Sequence, residues 1–158
     1  MTETEEKKIN TDEKKKELFL FVCTGNTCRS PMAEALFSYK YGKIADAQSA
    51  GISASGGRPL SSGAFHALSS RGVPPDFFAS HQSRRVTERM LEGADRVICM
   101  SGAHANALML TYPAYAGKIY AMPHDISDPY GGDDDTYVRC LEEIEEGLDS
   151  VFGDGSAC

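Results

Sequence analysis

The 158-residue chain has no tryptophan, and no apolar run approaches the roughly 20 residues of a membrane-spanning helix. Its start is charged and carries no apolar signal core before the first strand-like segment, so we expect a cytoplasmic protein without a membrane partner. Basic residues are in deficit: Lys plus Arg number 16 against 23 Asp plus Glu, a formal net charge of −7. That balance excludes nucleic acid as a general partner, because phosphate-backbone binding needs clustered cations. Five cysteines, an odd number, do not make a secreted disulfide framework. The four histidines, His66, His81, His104 and His124, share no ligand spacing with them, so no metal and no cofactor is implied. The rest is ordinary for a soluble chain at 41% hydrophobic and 25% charged residues, and its length suits one domain.

What is present centres on Val22-Cys23-Thr24-Gly25-Asn26-Thr27-Cys28-Arg29-Ser30-Pro31. The apolar run Leu18–Val22 leads into it and reads as a buried strand. Ser30-Pro31 reads as a helix N-cap followed by proline at the first helical position, with Met32, Ala35, Leu36 and Tyr39 on one helical face. Cys23 to Ser30 is then a tight turn between a strand and a helix start. Such a turn aims backbone N–H groups and the positive helix end into one concavity, which suits an anion. The same donors, with Arg29, would stabilise a thiolate at Cys23, the reactive form of cysteine. They would also bind phosphoryl oxygens, the planar guanidinium of Arg29 gripping two. Sulfur below phosphorus is placed for in-line displacement and a phosphocysteine intermediate, with Ser30 donating its hydroxyl to the sulfur. Gly25 would permit close approach of the backbone, and Asn26 tolerates the left-handed conformation.

Cys23 to Leu36, CTGNTCRSPMAEAL, resembles the phosphate-binding loop and first helix of the low-molecular-weight protein tyrosine phosphatases. Asp128-Pro129-Tyr130 matches that family's general-acid loop, and the resemblance covers roughly residues 17 to 152. It implies catalytic Cys23, Arg29 and Asp128, and a substrate- and phosphate-binding set of Thr24, Gly25, Asn26, Thr27, Cys28, Ser30 and Tyr130. Asp128 would protonate the leaving group and then activate water, while Tyr130 stacks on a flat substrate group; Asp125 is the weaker acid. The implied partners are a phosphorylated protein substrate and inorganic phosphate as product. Cys28, by the same resemblance, pairs with the nucleophile under oxidation or simply fills space.

Along the chain, residues 1 to 16 alternate Glu and Lys blocks and read as a solvated tail, Lys14-Lys15-Lys16 being its one conceivable docking patch. Further strands are expected at Ala47–Ile52, Arg96–Met100 and Lys118–Met122. Helices are expected around Ala64–Leu68 with a stop at Gly72, from Thr87 to Gly93, over 102–110, and from the acidic run Asp133–Asp135 onward. Tyr137, Leu141, Ile144, Leu148 and Val151 should pack that last helix on the sheet, leaving 153–158 as a loose end. Alternating strands and helices predict an α/β fold, a parallel sheet covered on both faces, which the resemblance makes four-stranded. Ligands in such sheets sit beyond the strands' carboxyl ends, where Cys23 and Asp128 would meet. In the connector Ser80–Arg85, His81 and Ser83 stand where relatives brace the phosphate loop; an exposed loop histidine is the alternative.

Thr27 bears on specificity. Tyrosine-specific relatives place an aliphatic residue there, whereas TGNTCRSP resembles bacterial protein arginine phosphatases. A hydroxyl offers a partner to guanidinium N–H groups and disfavours substrates that leave it unpaired. Arginine specificity is therefore expected first and tyrosine specificity second. Arsenate reductases share the fold but need further thiols, for which only Cys99 stands near. A nucleotide-binding loop would need a Gly-Lys-Ser/Thr ending that is absent.

Overall fold

The computed structural model describes residues 16–153. Four parallel strands, β1 (Glu17–Cys23), β2 (Ala45–Gly51), β3 (Arg96–Cys99) and β4 (Ile119–Ala121), lie in the order β2-β1-β3-β4. The helices are α1 (Arg29–Tyr41), α2 (Ser62–Arg71), α3 (Glu88–Gly93), α4 (Gly102–Thr111) and α5 (Asp134–Leu148). Short 3-10 turns occupy Pro75–Phe77 and Pro113–Lys118, and a π-helical turn, Asp149–Gly153, follows α5.

Alternation along β1 divides the core. Phe19 and Phe21 point to one face, where they meet Met32, Leu36 and Phe37 of α1, Leu68 of α2 and Leu141, Ile144 and Leu148 of α5. Leu20 and Val22 point to the other, against Leu91 of α3, Val97 and Cys99 of β3 and Leu108 of α4. Both faces are thus covered, as the buried β1 run predicts. The order β2-β1-β3 puts a switch point beside β1, and the chain leaves Cys23 there.

The expected helix stops hold. Gly72 ends α2 at φ 92°, the left-handed conformation in which glycine costs least. Thr87 caps α3 through Met90 N, and Asp133 caps α5 by accepting from Thr136 N at 2.9 Å. Others shift. Residue Ser30 is not an N-cap: α1 starts at Arg29 with Cys28 as cap, because the Ser30 hydroxyl is engaged elsewhere. Strand β2 starts at Ala45, two residues before the apolar run, by pairing with Glu17 and Leu18. The fourth strand shortens because Lys118 closes a 3-10 turn. Val151 is 51% exposed, since the π turn after Leu148 breaks the helical spacing that would have buried it.

Lys16 donates to Gly42 O at 2.9 Å, while the remainder of the N-terminal stretch, including Lys14 and Lys15, and residues 154–158 with Cys158 lie outside the described residues. Gly153, expected in the loose end, instead closes the π turn. Among the described residues no helix is long and apolar enough to cross a membrane.

Candidate active site

A pocket of about 260 Å3 at the carboxyl edge of the sheet is lined by Cys23 through Arg29, Ser53, Ser55, Arg58, Asp128 and Tyr130. All the sequence-predicted site residues line it except Ser30, which lies directly behind the sulfur. Parallel pairing brings the ends of β1 and β4 to this edge, and the loop after β4 then folds back over it. Ile126 anchors that return. Only 2% exposed, it donates its N–H to Met100 O at 2.9 Å and accepts a bond from Arg29 Nη1 on its carbonyl at 3.1 Å. Asp128 consequently stands 3.6 Å from Arg29 Nη2, with Arg29 buried and Asp128 exposed. Tyr130 is 82% exposed over the pocket, and its N–H caps Asp128 at 3.1 Å. Asp125 is committed to the N–H of Gly102 at 2.9 Å and lies outside the pocket lining.

Behind the loop, Asn26 is the keystone. It is fully buried and holds φ 58°, the one positive φ of a non-glycine among the described residues. Its Nδ2 donates to Ser30 Oγ at 2.8 Å and to Ser49 Oγ at 3.0 Å. Its Oδ1 accepts Arg84 N at 3.0 Å, and its carbonyl accepts His81 Nε2 at 2.7 Å. Ser49 passes its hydrogen on to Glu34 Oε1 at 2.6 Å, and Arg84 Nε reaches Ser49 O at 3.1 Å. Ser30 Oγ, already receiving an N–H from Asn26, has its own hydrogen for Cys23 Sγ at 2.9 Å, a shorter path than Ala50 O at 3.4 Å.

The brace expected of His81 is therefore present, but Ser83 braces the neighbouring loop instead, bonding Arg58 N at 2.9 Å and Ser55 O. Within the protein, close approach is required at Gly51 rather than at Gly25. A Cβ on Gly25 would meet nothing nearer than 3.9 Å, whereas one on Gly51 would lie 2.5 Å from Thr24 O and 3.0 Å from Asn26 N. The sequence reading missed Gly51, Ser49, Glu34 and Arg84.

It missed His104 too. Buried at the start of α4, His104 bonds Thr24 Oγ1 through Nε2 at 2.8 Å and Ser101 Oγ through Nδ1 at 2.7 Å. Burial, then the nearby Arg29 charge, pulls its pKa below the ordinary histidine value, which keeps the ring neutral as a rigid prop for Thr24. Cys28 points away from the opening, toward Ser61 Oγ at 3.3 Å and Tyr137 OH at 3.5 Å. Burial first, then the Cys28 contact, pushes the Tyr137 phenol up to about 12. Cys99 and Cys140 lie in the core, where burial pushes each thiol up to about 12. Such raised values disfavour the thiolates that a thiol shuttle needs.

Comparison with known proteins agrees with this geometry. The family model described as "Low molecular weight phosphotyrosine protein phosphatase" matches residues 19–154. The protein-arginine-phosphatase of Bacillus subtilis strain 168 is 35% identical over 137 residues, covering 80% of this chain and 89% of that protein. Among solved structures, the low molecular weight protein tyrosine phosphatase from T. tengcongensis is 38% identical, with a TM-score of 0.79 over 87% of this chain and 98% of its own. A mutant of the YwlE arginine phosphatase carrying a phosphorylated active site serine is 35% identical, with a TM-score of 0.76 over 83% and 90%. With a cysteine loop, a folded-back acid and a family match spanning most of its length, the chain is a protein phosphatase and belongs to the low molecular weight phosphotyrosine protein phosphatase family.

Proposed function

We propose that residues 17–152 hydrolyse phosphoarginine in proteins, with Cys23 as nucleophile and Asp128 as acid and base. The observation that carries the roles is convergence: Cys23 and Arg29, which follow β1, and Asp128, which follows β4, line one pocket although they lie far apart in the chain. Cys23 Sγ attacks phosphorus while Asp128 gives its proton to the departing nitrogen, so the P–N bond breaks as the S–P bond forms. Water then attacks phosphorus, Asp128 takes its proton, and the S–P bond breaks to release inorganic phosphate. Ser30 supplies a hydrogen bond to the leaving sulfur. Arg29 and the N–H groups of Thr24 to Ser30 hold the phosphoryl oxygens in both steps. The substrate is thus a phosphorylated protein, handled without a metal, a nucleic acid or a membrane, in the cytoplasm.

Thr27 supports arginine over tyrosine. Thr27 lines the pocket, and its hydroxyl makes only a weak contact with Cys28 Sγ at 3.8 Å, which leaves it open to a guanidinium N–H. The similar arginine phosphatases point the same way. Phosphotyrosine is the second reading, favoured by the exposed ring of Tyr130 at the mouth, which stacks on a phenyl group as readily as on a guanidinium. Parallel turnover of phosphoarginine and phosphotyrosine peptides by wild type and Thr27→Ile decides between them. The wild type should prefer phosphoarginine, and the substitution should move the ratio about tenfold toward phosphotyrosine. An unmoved ratio removes Thr27 from the account.

A further inference from the structure

One wall of the pocket is not used by the chemistry above. It comes from the segment after β2, where Ser53, Ser55 and Arg58 face the same opening as Asp128 and Tyr130. The segment is held at both ends. Ile52 N donates to Cys23 O and Ser53 N to Thr24 O, both at 2.9 Å, so the wall starts on the phosphate loop itself. At the far end, buried Ser83 clasps it. Arg58 N donates to Ser83 Oγ at 2.9 Å, Ser83 N to Arg58 O at 2.8 Å and Gly57 N to Ser83 O at 2.9 Å. Gly57, at φ 80°, makes the bend that turns Arg58 to the opening.

On this rigid backbone sit side chains without internal partners. Among the described residues, the Arg58 guanidinium and the hydroxyls of Ser53 and Ser55 have no hydrogen bond or ion pair. Every other charge in the lining is accounted for, since Asp128 lies on Arg29, which also serves Ile126 O. The phosphoryl group is matched by Arg29 and the loop N–H groups, which leaves the Arg58 charge in excess. An uncompensated guanidinium flanked by two hydroxyl donors, beside rather than within the phosphate bowl, is complementary to a second, neighbouring anionic group.

We infer that Arg58, with Ser53 and Ser55, forms a specificity subsite for the carboxylate of an aspartate or glutamate adjacent to the phosphorylated residue of a protein substrate. This rests on the phosphatase reading of the pocket and adds to it the class of sequence the enzyme selects. No covalent step is involved, only a charge-assisted contact at an exposed rim.

The test compares kcat/KM for three phosphopeptides of equal length with acidic, neutral or basic residues on both sides of the phosphorylated residue. Wild type, Arg58→Gln and Arg58→Glu are assayed at 0.1 and 1 M salt. Wild type should favour the acidic over the neutral peptide about fivefold at low salt, the scale of one exposed ion pair. That preference should collapse at 1 M, where the screening length falls to about 3 Å. Arg58→Gln should level the three peptides, and Arg58→Glu should reverse the order in favour of the basic one. A wild type indifferent to flanking charge, or an acidic preference that survives in Arg58→Glu, overturns the subsite. In either of those cases turnover of the neutral peptide by wild type leaves the phosphatase reading standing. Failure of wild type to turn over any of the three sinks both.

Discussion

Replacing Asn26 tests whether the proposed phosphate bowl is held from behind, because this one side chain carries both the strain and the bonds that offset it. Asn26→Ala removes three hydrogen bonds, to Ser30 Oγ at 2.8 Å, Ser49 Oγ at 3.0 Å and Arg84 N at 3.0 Å. The first two are buried and the third half-buried, so about 1 kcal/mol apiece is a fair net value, about 3 kcal/mol together. Alanine must also hold φ 58°, which adds about 1–2 kcal/mol that asparagine partly avoids. The total, about 4–5 kcal/mol, is a large share of the 5–15 kcal/mol that typically separates folded from unfolded. Asn26→Gly separates the two contributions: it loses the same bonds but none of the left-handed penalty. Glycine is ordinarily about 0.5–1 kcal/mol worse than alanine, so here the usual order should invert. Urea unfolding should rank wild type above Asn26→Gly and Asn26→Gly above Asn26→Ala. Both variants should lose about 100-fold in kcat/KM, as the Ser30 hydroxyl is freed from its role of pointing at Cys23. If alanine proves as stable as glycine, or both variants lie within 0.5 kcal/mol of wild type, the keystone reading is wrong.

Asp128→Ala should slow phosphocysteine formation by about 100- to 10,000-fold, with the poorest leaving groups losing most. Burst kinetics across aryl phosphates of graded leaving ability check it, and an equal loss across the series counts against Asp128 as proton donor. Glu145 offers a pH prediction away from the site. Its carboxylate takes two bonds from Arg71, at 2.8 and 2.7 Å, and one from Lys40 at 2.7 Å, tying α1, α2 and α5 together. Arg71 first, then Lys40, holds its pKa down at about 2 against an unfolded value of 4.5, burial opposing. A depressed folded value contributes stability in full above pH 4.5, and that contribution is lost as pH falls toward 2. Glu145→Gln should therefore cost about 1–3 kcal/mol at pH 7, solvent screening included, and flatten the acid limb of the stability curve between pH 4.5 and 2. Identical acid limbs for the two proteins would show that the network does not act through Glu145.

The residues proposed for catalysis were legible in the chain because the chemistry demands particular types at fixed spacing. A strand, a short turn from Thr24 to Cys28 and a helix leave few alternatives, and Asp-Pro-Tyr after the last strand falls at the same edge by the geometry of parallel sheets. The supports were not legible, and the reason is physical. Holding Asn26 requires a donor or acceptor at a point in space, and any polar residue brought there by the fold will serve. Ser49, Glu34 and Arg84 come from a strand, a helix and a connector whose individual patterns say nothing of Asn26. Gly51 looks like an ordinary strand end until Thr24 O is found 2.5 Å from where its Cβ would lie. His104 reads as one more helix residue until α4 sets it against Thr24. Even the misplaced cap at Ser30 follows this rule: the local pattern favours a capping hydroxyl, but the sulfur of Cys23 and the amide of Asn26 claim it first. Where a residue's partner lies close in sequence, pattern suffices. Where the partner comes from a distant loop, as for the clasp of Ser83 on Arg58, only the assembled fold reveals the role.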